Sequence, residues 1–149
     1  MTNLETWVSL AALALIVMFI ALIFSFIIFL IGPKSQGPNI DVQPAGVVIQ
    51  IVSISGAPGI ILSGVTYGLA RNAGARSAGI ILIVSGVILA AGMAYIGISS
   101  SEIPENYRIP FLDTLRYAFL AAGMGIVVVG VILLKNPRIH TKLGDEKIW

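Results

Sequence analysis

The sequence contains no cysteine and, in 149 residues, a single histidine, His140. Thiol catalysis, disulfides and thiolate-held clusters therefore lie outside its chemistry. A lone histidine without a second histidine or a cysteine completes no metal site, and the four methionines are scattered. No metal and no other cofactor is expected in this chain. Charge is scarce as well. Only 11% of residues are Asp, Glu, Lys or Arg, against about 25% in ordinary soluble domains. Together with a hydrophobic share of 57%, that shortage excludes an ordinary soluble globular domain. A net charge of +2 gives no reason to expect a nucleic-acid partner.

Charge is missing altogether from three long runs, 7–31, 45–70 and 77–98. A fourth run, 111–134, carries only Asp113 and Arg116, in its first turns. Each is long enough to cross a hydrocarbon core of about 30 Å as a helix. The first run lacks a basic lead and a small-x-small cleavage site, and it exceeds the apolar stretch of a signal peptide, so it reads as a retained helix. The connectors "GPKSQGPNIDVQP", "RNAGAR" and "SSSEIPENYRIP" are polar and punctuated by Pro and Gly. The expected fold is all-α: residues 1–149 form a single integral membrane domain of four transmembrane helices with short loops, followed by a tail at 135–149.

Lysine and arginine placement predicts orientation. Arg71, Arg76, Lys135, Arg138, Lys142 and Lys147 fall on one side, and Lys34, Arg108 and Arg116 on the other, with Asp41, Glu102, Glu105 and Asp113. Both termini are thereby predicted to be cytoplasmic in a multi-pass protein of the cell membrane. Trp7 and Tyr67 then lie toward the inner interface, and Tyr95 and Tyr117 toward the outer one.

Small residues carry the next signal, since they let helix backbones approach closely within a bilayer. In the second run Gly56, Gly59, Ser63, Thr66 and Ala70 form one stripe at helical spacing, and Ala57, Gly64 and Gly68 form a second. The bulky residues Ile51, Ile54, Ile61, Val65 and Leu69 gather on the remaining face beside Pro58. The third run offers Gly79, Gly86, Ala90, Ala94 and Gly97, and the fourth Ala118, Ala122 and Gly125. The first run is filled instead with Leu, Ile and Phe. The expected packing is a tight bundle of the second to fourth helices, with the first at its edge, against lipid tails or a loosely packed partner.

"SISGAPGIILSG" (53–64) admits two readings. A helix broken at Pro58 and its glycines would free backbone groups for a midplane transport site. A kinked helix would instead have those groups satisfied by neighbours and serines. No ionisable residue accompanies the break, although such residues mark most intramembrane ion sites, and Gln50 is the most polar residue well inside a run. No nucleophile–base pair, paired carboxylates or phosphate-cradling loop is visible, so no catalytic residue is assigned and the chain is not expected to be an enzyme by itself. The connector 99–117 has two readings as well. It is a solvated loop, or a docking surface for another subunit built from Glu102, Glu105, Tyr107, Arg108, Asp113 and Arg116. The basic tail either attracts anionic lipid or straps onto a partner.

Elimination leaves a non-catalytic accessory subunit of a multi-subunit membrane complex, contacting other membrane subunits and lipid; the alternative is an independent small transporter or channel with a broken second helix. The four runs, the absent cysteine, "SISGAPGIILSG", "GIILIVSGVILAAG" and "SSSEIPENYRIPF" are similar in layout to the small accessory subunits of archaeal ammonia monooxygenase, a copper membrane monooxygenase. That resemblance implies that copper and ammonia chemistry belong to partner subunits, and it transfers no catalytic residue to this chain.

Overall fold

The computed structural model describes residues 4–32, 43–73 and 76–135. His140, Lys34, Asp41 and the tail beyond Lys135 lie outside the described residues. Four helices are long and apolar enough to cross a membrane: α1 (Leu4–Ile31), α2 (Pro44–Ala73), α3 (Arg76–Ser99) and α4 (Leu112–Lys135). The described residues contain no strand.

The helix ends follow from local chemistry. α1 stops where Gly32 takes a positive φ of 66°, a conformation that costs a glycine nothing. Its N–H then donates to the Ile28 carbonyl at 3.2 Å, which satisfies one of the last unpaired carbonyls. α2 opens on Pro44, whose fixed φ suits a first helical position and whose missing N–H costs nothing there. The α3–α4 connection is held by two short 3-10 turns, Ser100–Glu102 and Glu105–Tyr107. Ile103 and Ile109 beside them are 3% and 4% exposed and belong to the core. This connector is therefore pinned to the helix ends rather than looping freely into solvent.

Within α2 the chain runs helically without a gap, but Val52–Gly56 winds as a π-turn, with the Ala57 N–H reaching back to the Val52 carbonyl. A proline ring at Pro58 clashes with the carbonyl four residues earlier in a regular helix, and a π-turn accommodates one extra residue just before it. The phase of the helix changes accordingly. At roughly 100° per residue, the five steps from Ile51 to Gly56 would set the two about 140° apart; with one residue absorbed they differ by only about 40°. Val48 and Ile51 thus join Gly56 and Gly59 on the buried side. The expectation that Ile51 shares the bulky outward face is corrected on this ground. Ile54, within the turn, and Ile61, beyond it, do face outward, at 63% and 64% exposed.

The expected position of α1 is also overturned. α1 packs against both α2 and α3, α3 and α4 form the most extensive pair, and α2 scarcely touches α3. α1 is thus wedged into the bundle through Ser9, Ala12, Ile16, Phe19, Ile23, Ile27 and Leu30, all buried. The reason is complementary volume. A small residue gives room to a neighbour's backbone, or equally to a neighbour's large side chain. Ile16 fills the hollow over Gly59, and Ile20 that over Gly92. Phe19 sits over Gly56 and stacks on Phe119 of α4 with ring centroids 4.6 Å apart. Side chains on α1 meet α3 about 71 positions on, as in the Thr6–Ser77 hydroxyl pair at 3.0 Å, so α1 and α3 run parallel while successive helices run antiparallel.

Candidate functional site

No helix in the described residues brings together a nucleophile and a base, and no three His, Asp or Glu side chains converge there. The buried serine and threonine hydroxyls inside the helices are occupied locally. Ser55, Ser63, Thr66 and Ser85 each donate to the carbonyl four residues earlier, at 2.8–2.9 Å, an arrangement that satisfies a buried hydroxyl without opening a site. Ser53 makes the same bond to Ile49 on the exposed side. Gln50 is exposed and lies in the first turns of α2, away from the chain's interior. The described residues instead offer helix-packing surfaces and a polar cavity.

The small residues sort into three settings. Gly56 and Gly59 receive aromatic and aliphatic side chains from α1, with Ser63, Thr66 and Ala70 continuing the same buried line. Gly79 and Gly86 receive backbone. A Cβ placed on Gly79 would lie 3.1 Å from the Gly130 carbonyl oxygen, and one on Gly86 would lie 2.6 Å from that of Gly123. Ala90 adjoins the same seam, since a Cβ on Gly123 would lie 3.0 Å from its backbone nitrogen. The third setting is empty. Gly64 and Gly68 are exposed and have no atom of the described residues within 4 Å of an added Cβ, so these two members of the second stripe of α2 pack against nothing among the described residues.

On α4 the residues that matter for packing are ones that spacing did not single out. Ala118 and Gly125 face outward, while Gly123 and Gly130 meet α3. A signal was present: Gly79 and Gly86 are seven apart, as are Gly123 and Gly130, and two equal spacings on antiparallel helices permit paired close approaches. Phe19 and Phe119 were likewise not identifiable as partners, because nothing in either run marks which of its aromatics faces inward.

Of the connector residues, Glu102, Glu105 and Arg108 are exposed and Tyr107 is partly buried. Arg108, Asp113 and Arg116 come together around a cavity of about 330 Å³ that also reaches Gly97, Ser100 and Ser101. Arg116 is the ordered member. Its side chain is 21% exposed, its guanidinium carbon lies 4.7 Å from the centre of the Tyr117 ring, and it rests on Gly97, where any Cβ would collide with it. Its distance to Asp113 Oδ1 is 4.0 Å, too long for a hydrogen bond. Glu102 and Glu105 do not join this cluster. No family model, curated protein or solved structure matches the chain.

Proposed function

We propose that this chain is a non-catalytic accessory subunit of a multi-subunit membrane complex, with four membrane-crossing helices and both termini in the cytoplasm. The observation that carries the reading is the outward pair Gly64 and Gly68 on α2, beside the exposed Ile61 and Val65. Glycines facing lipid gain nothing from it, whereas small residues four apart admit a neighbouring helix backbone to close range. The proposed occupant is a transmembrane helix of another subunit. The arrangement inside the chain supports this: the buried glycines of α2 to α4 each receive a neighbour from within, whereas Gly64 and Gly68 are open. The ends of the bundle fit a membrane-crossing placement: Trp7 and Tyr67 lie toward one end, and Tyr95 and Tyr117 toward the other.

The resemblance to the accessory subunits of archaeal ammonia monooxygenase suggests an identity for that complex, with copper held by its partner subunits. The alternative, a transporter built on a broken second helix, lacks the feature it needs. α2 is continuous through Val52–Gly56, and its hydroxyls are bonded to their own helix. Solubilising native membranes in mild detergent and identifying what co-migrates with the chain tests the proposal. Companion membrane proteins are expected. Migration alone, with solute flux in liposomes, would replace the proposal with the alternative.

A further inference from the structure

Among the described residues, the cavity at the connector end of α3 and α4 gathers Arg108, Asp113 and Arg116 without a close ion pair between them. Arg116 is largely buried, yet among the described residues its one ionic contact is the 4.0 Å approach to Asp113. Asp113 is itself 76% exposed at the side chain, so water screens the attraction and little holds the pair together. A guanidinium carries five donors and stays charged at any working pH. Those of its donors that open onto the cavity are free to take up an anionic acceptor. The fold builds a seat for it. Gly97 leaves the space the guanidinium occupies, and the Tyr117 ring covers its face. Arg108, exposed on the connector, supplies a second cation at the same cavity. The hydroxyls of Ser100 and Ser101 donate to the Gly97 and Ile98 carbonyls, so the two arginines are the donors left for a ligand. Ile103, Ile109 and Leu112 give the cavity an apolar base.

We infer that this cavity binds a phosphate group, held between Arg108 and Arg116. Two guanidiniums on different walls suit an anion with several charged oxygens, and forked donors match phosphate geometry. A volume of about 330 Å³ exceeds what a bare carboxylate needs. The location names the source. If α3 and α4 cross the bilayer as proposed above, the connector lies at headgroup depth, and the phosphate is that of an anionic phospholipid whose acyl chains run down the apolar exterior. The inference rests on that membrane placement, but not on the chain having partner subunits. A solitary chain would bind the lipid equally well.

The test uses the full chain in neutral detergent, with phosphatidylglycerol and inorganic phosphate as probes and native mass spectrometry as the readout. Wild-type chain is expected to retain phosphatidylglycerol in preference to diacylglycerol, which lacks the phosphate. Arg108→Gln and Arg116→Gln are each expected to weaken retention about tenfold, the effect of losing one charge-assisted hydrogen bond. Gly97→Val, which displaces the Arg116 guanidinium, is expected to act in the same direction. Arg71→Gln and Arg76→Gln, at the opposite end of the helices, are expected to leave retention unchanged. Phosphate that binds while the lipid does not would uphold the anion site and reject the lipid as its source. Retention by the Arg108→Gln chain equal to wild type, at unchanged helical circular dichroism, would overturn the inference. Because Arg108 is exposed, that variant decides the matter even if Arg116→Gln fails to fold.

Discussion

Replacing Gly86 with alanine adds one methyl group where the backbones of α3 and α4 approach closely. That methyl would lie 2.6 Å from the Gly123 carbonyl oxygen, 2.7 Å from a Val127 methyl and 2.8 Å from the Val127 backbone nitrogen. Two of these three atoms are backbone, so no rotamer change relieves the overlap. α3 and α4 must move apart, which also loosens the Gly79–Gly130 approach one stage along the same seam. Overpacking of this kind costs about 1–3 kcal/mol. Helix propensity alone favours alanine over glycine by about 1 kcal/mol, and the net expectation is a loss of up to about 2 kcal/mol. Gly64→Ala is the matched control. It makes the same chemical change where no atom lies within 4 Å, so propensity acts unopposed and a gain of roughly 0.5–1 kcal/mol is expected. Equilibrium unfolding of the isolated chain in mixed micelles of rising SDS fraction, followed by circular dichroism, measures both. If Gly86→Ala were as stable as Gly64→Ala, the close backbone seam between α3 and α4 would be wrong.

The same assay reads the aromatic contact. Phe19→Ala removes a fully buried ring from between Gly56 and Phe119 and is expected to cost about 3–5 kcal/mol, whereas Phe29→Ala, at a side chain 39% exposed, is expected to cost less than half as much; equal losses would return α1 to the periphery. Deleting Ser53 while changing Pro58 to Ala removes the residue absorbed by the π-turn together with the ring that calls for it. Val48 and Ile51 then stay in phase with Gly56, and a folded chain of unchanged helical content is expected in detergent. Inserting an alanine after Ser53 swings them out of phase by about 100° and is expected to destabilise the chain. A deletion as harmful as the insertion would contradict the phase argument.

The number and extent of the helices were legible because Pro and Gly punctuate an otherwise uncharged sequence. The line Gly56, Gly59, Ser63, Thr66 and Ala70 was legible as a face. What that face meets was not, since a gap left by glycine fits a neighbour's backbone and a phenylalanine equally well. This ambiguity is why α1, with its bulky residues, was expected at the edge and lies between α2 and α3. In α4 two sets of small residues share the helix, and the outward set, Ala118 and Gly125, looks as suitable as Gly123 and Gly130. In water a polar face would have separated them, but helices made for lipid carry no such contrast. Ile51 was misplaced for a different reason: one residue absorbed in a π-turn leaves no mark in composition, yet it rotates everything before it. The connector residues were identified as a group, but their division was not. Arg116 turns back over Gly97 while Glu102 and Glu105 face outward, a distinction that depends on the two pinned isoleucines, Ile103 and Ile109.

The central claim is that Gly64 and Gly68 receive a helix from another subunit. The most direct measurement is the size and composition of the native assembly in mild detergent for chains carrying Gly64→Leu and Gly68→Leu. The account predicts that wild type co-migrates with companion membrane proteins, and that the double variant loses them while the isolated chain keeps its helical content and micellar stability. Wild-type chain migrating alone, or a double variant assembling as wild type does, would contradict it.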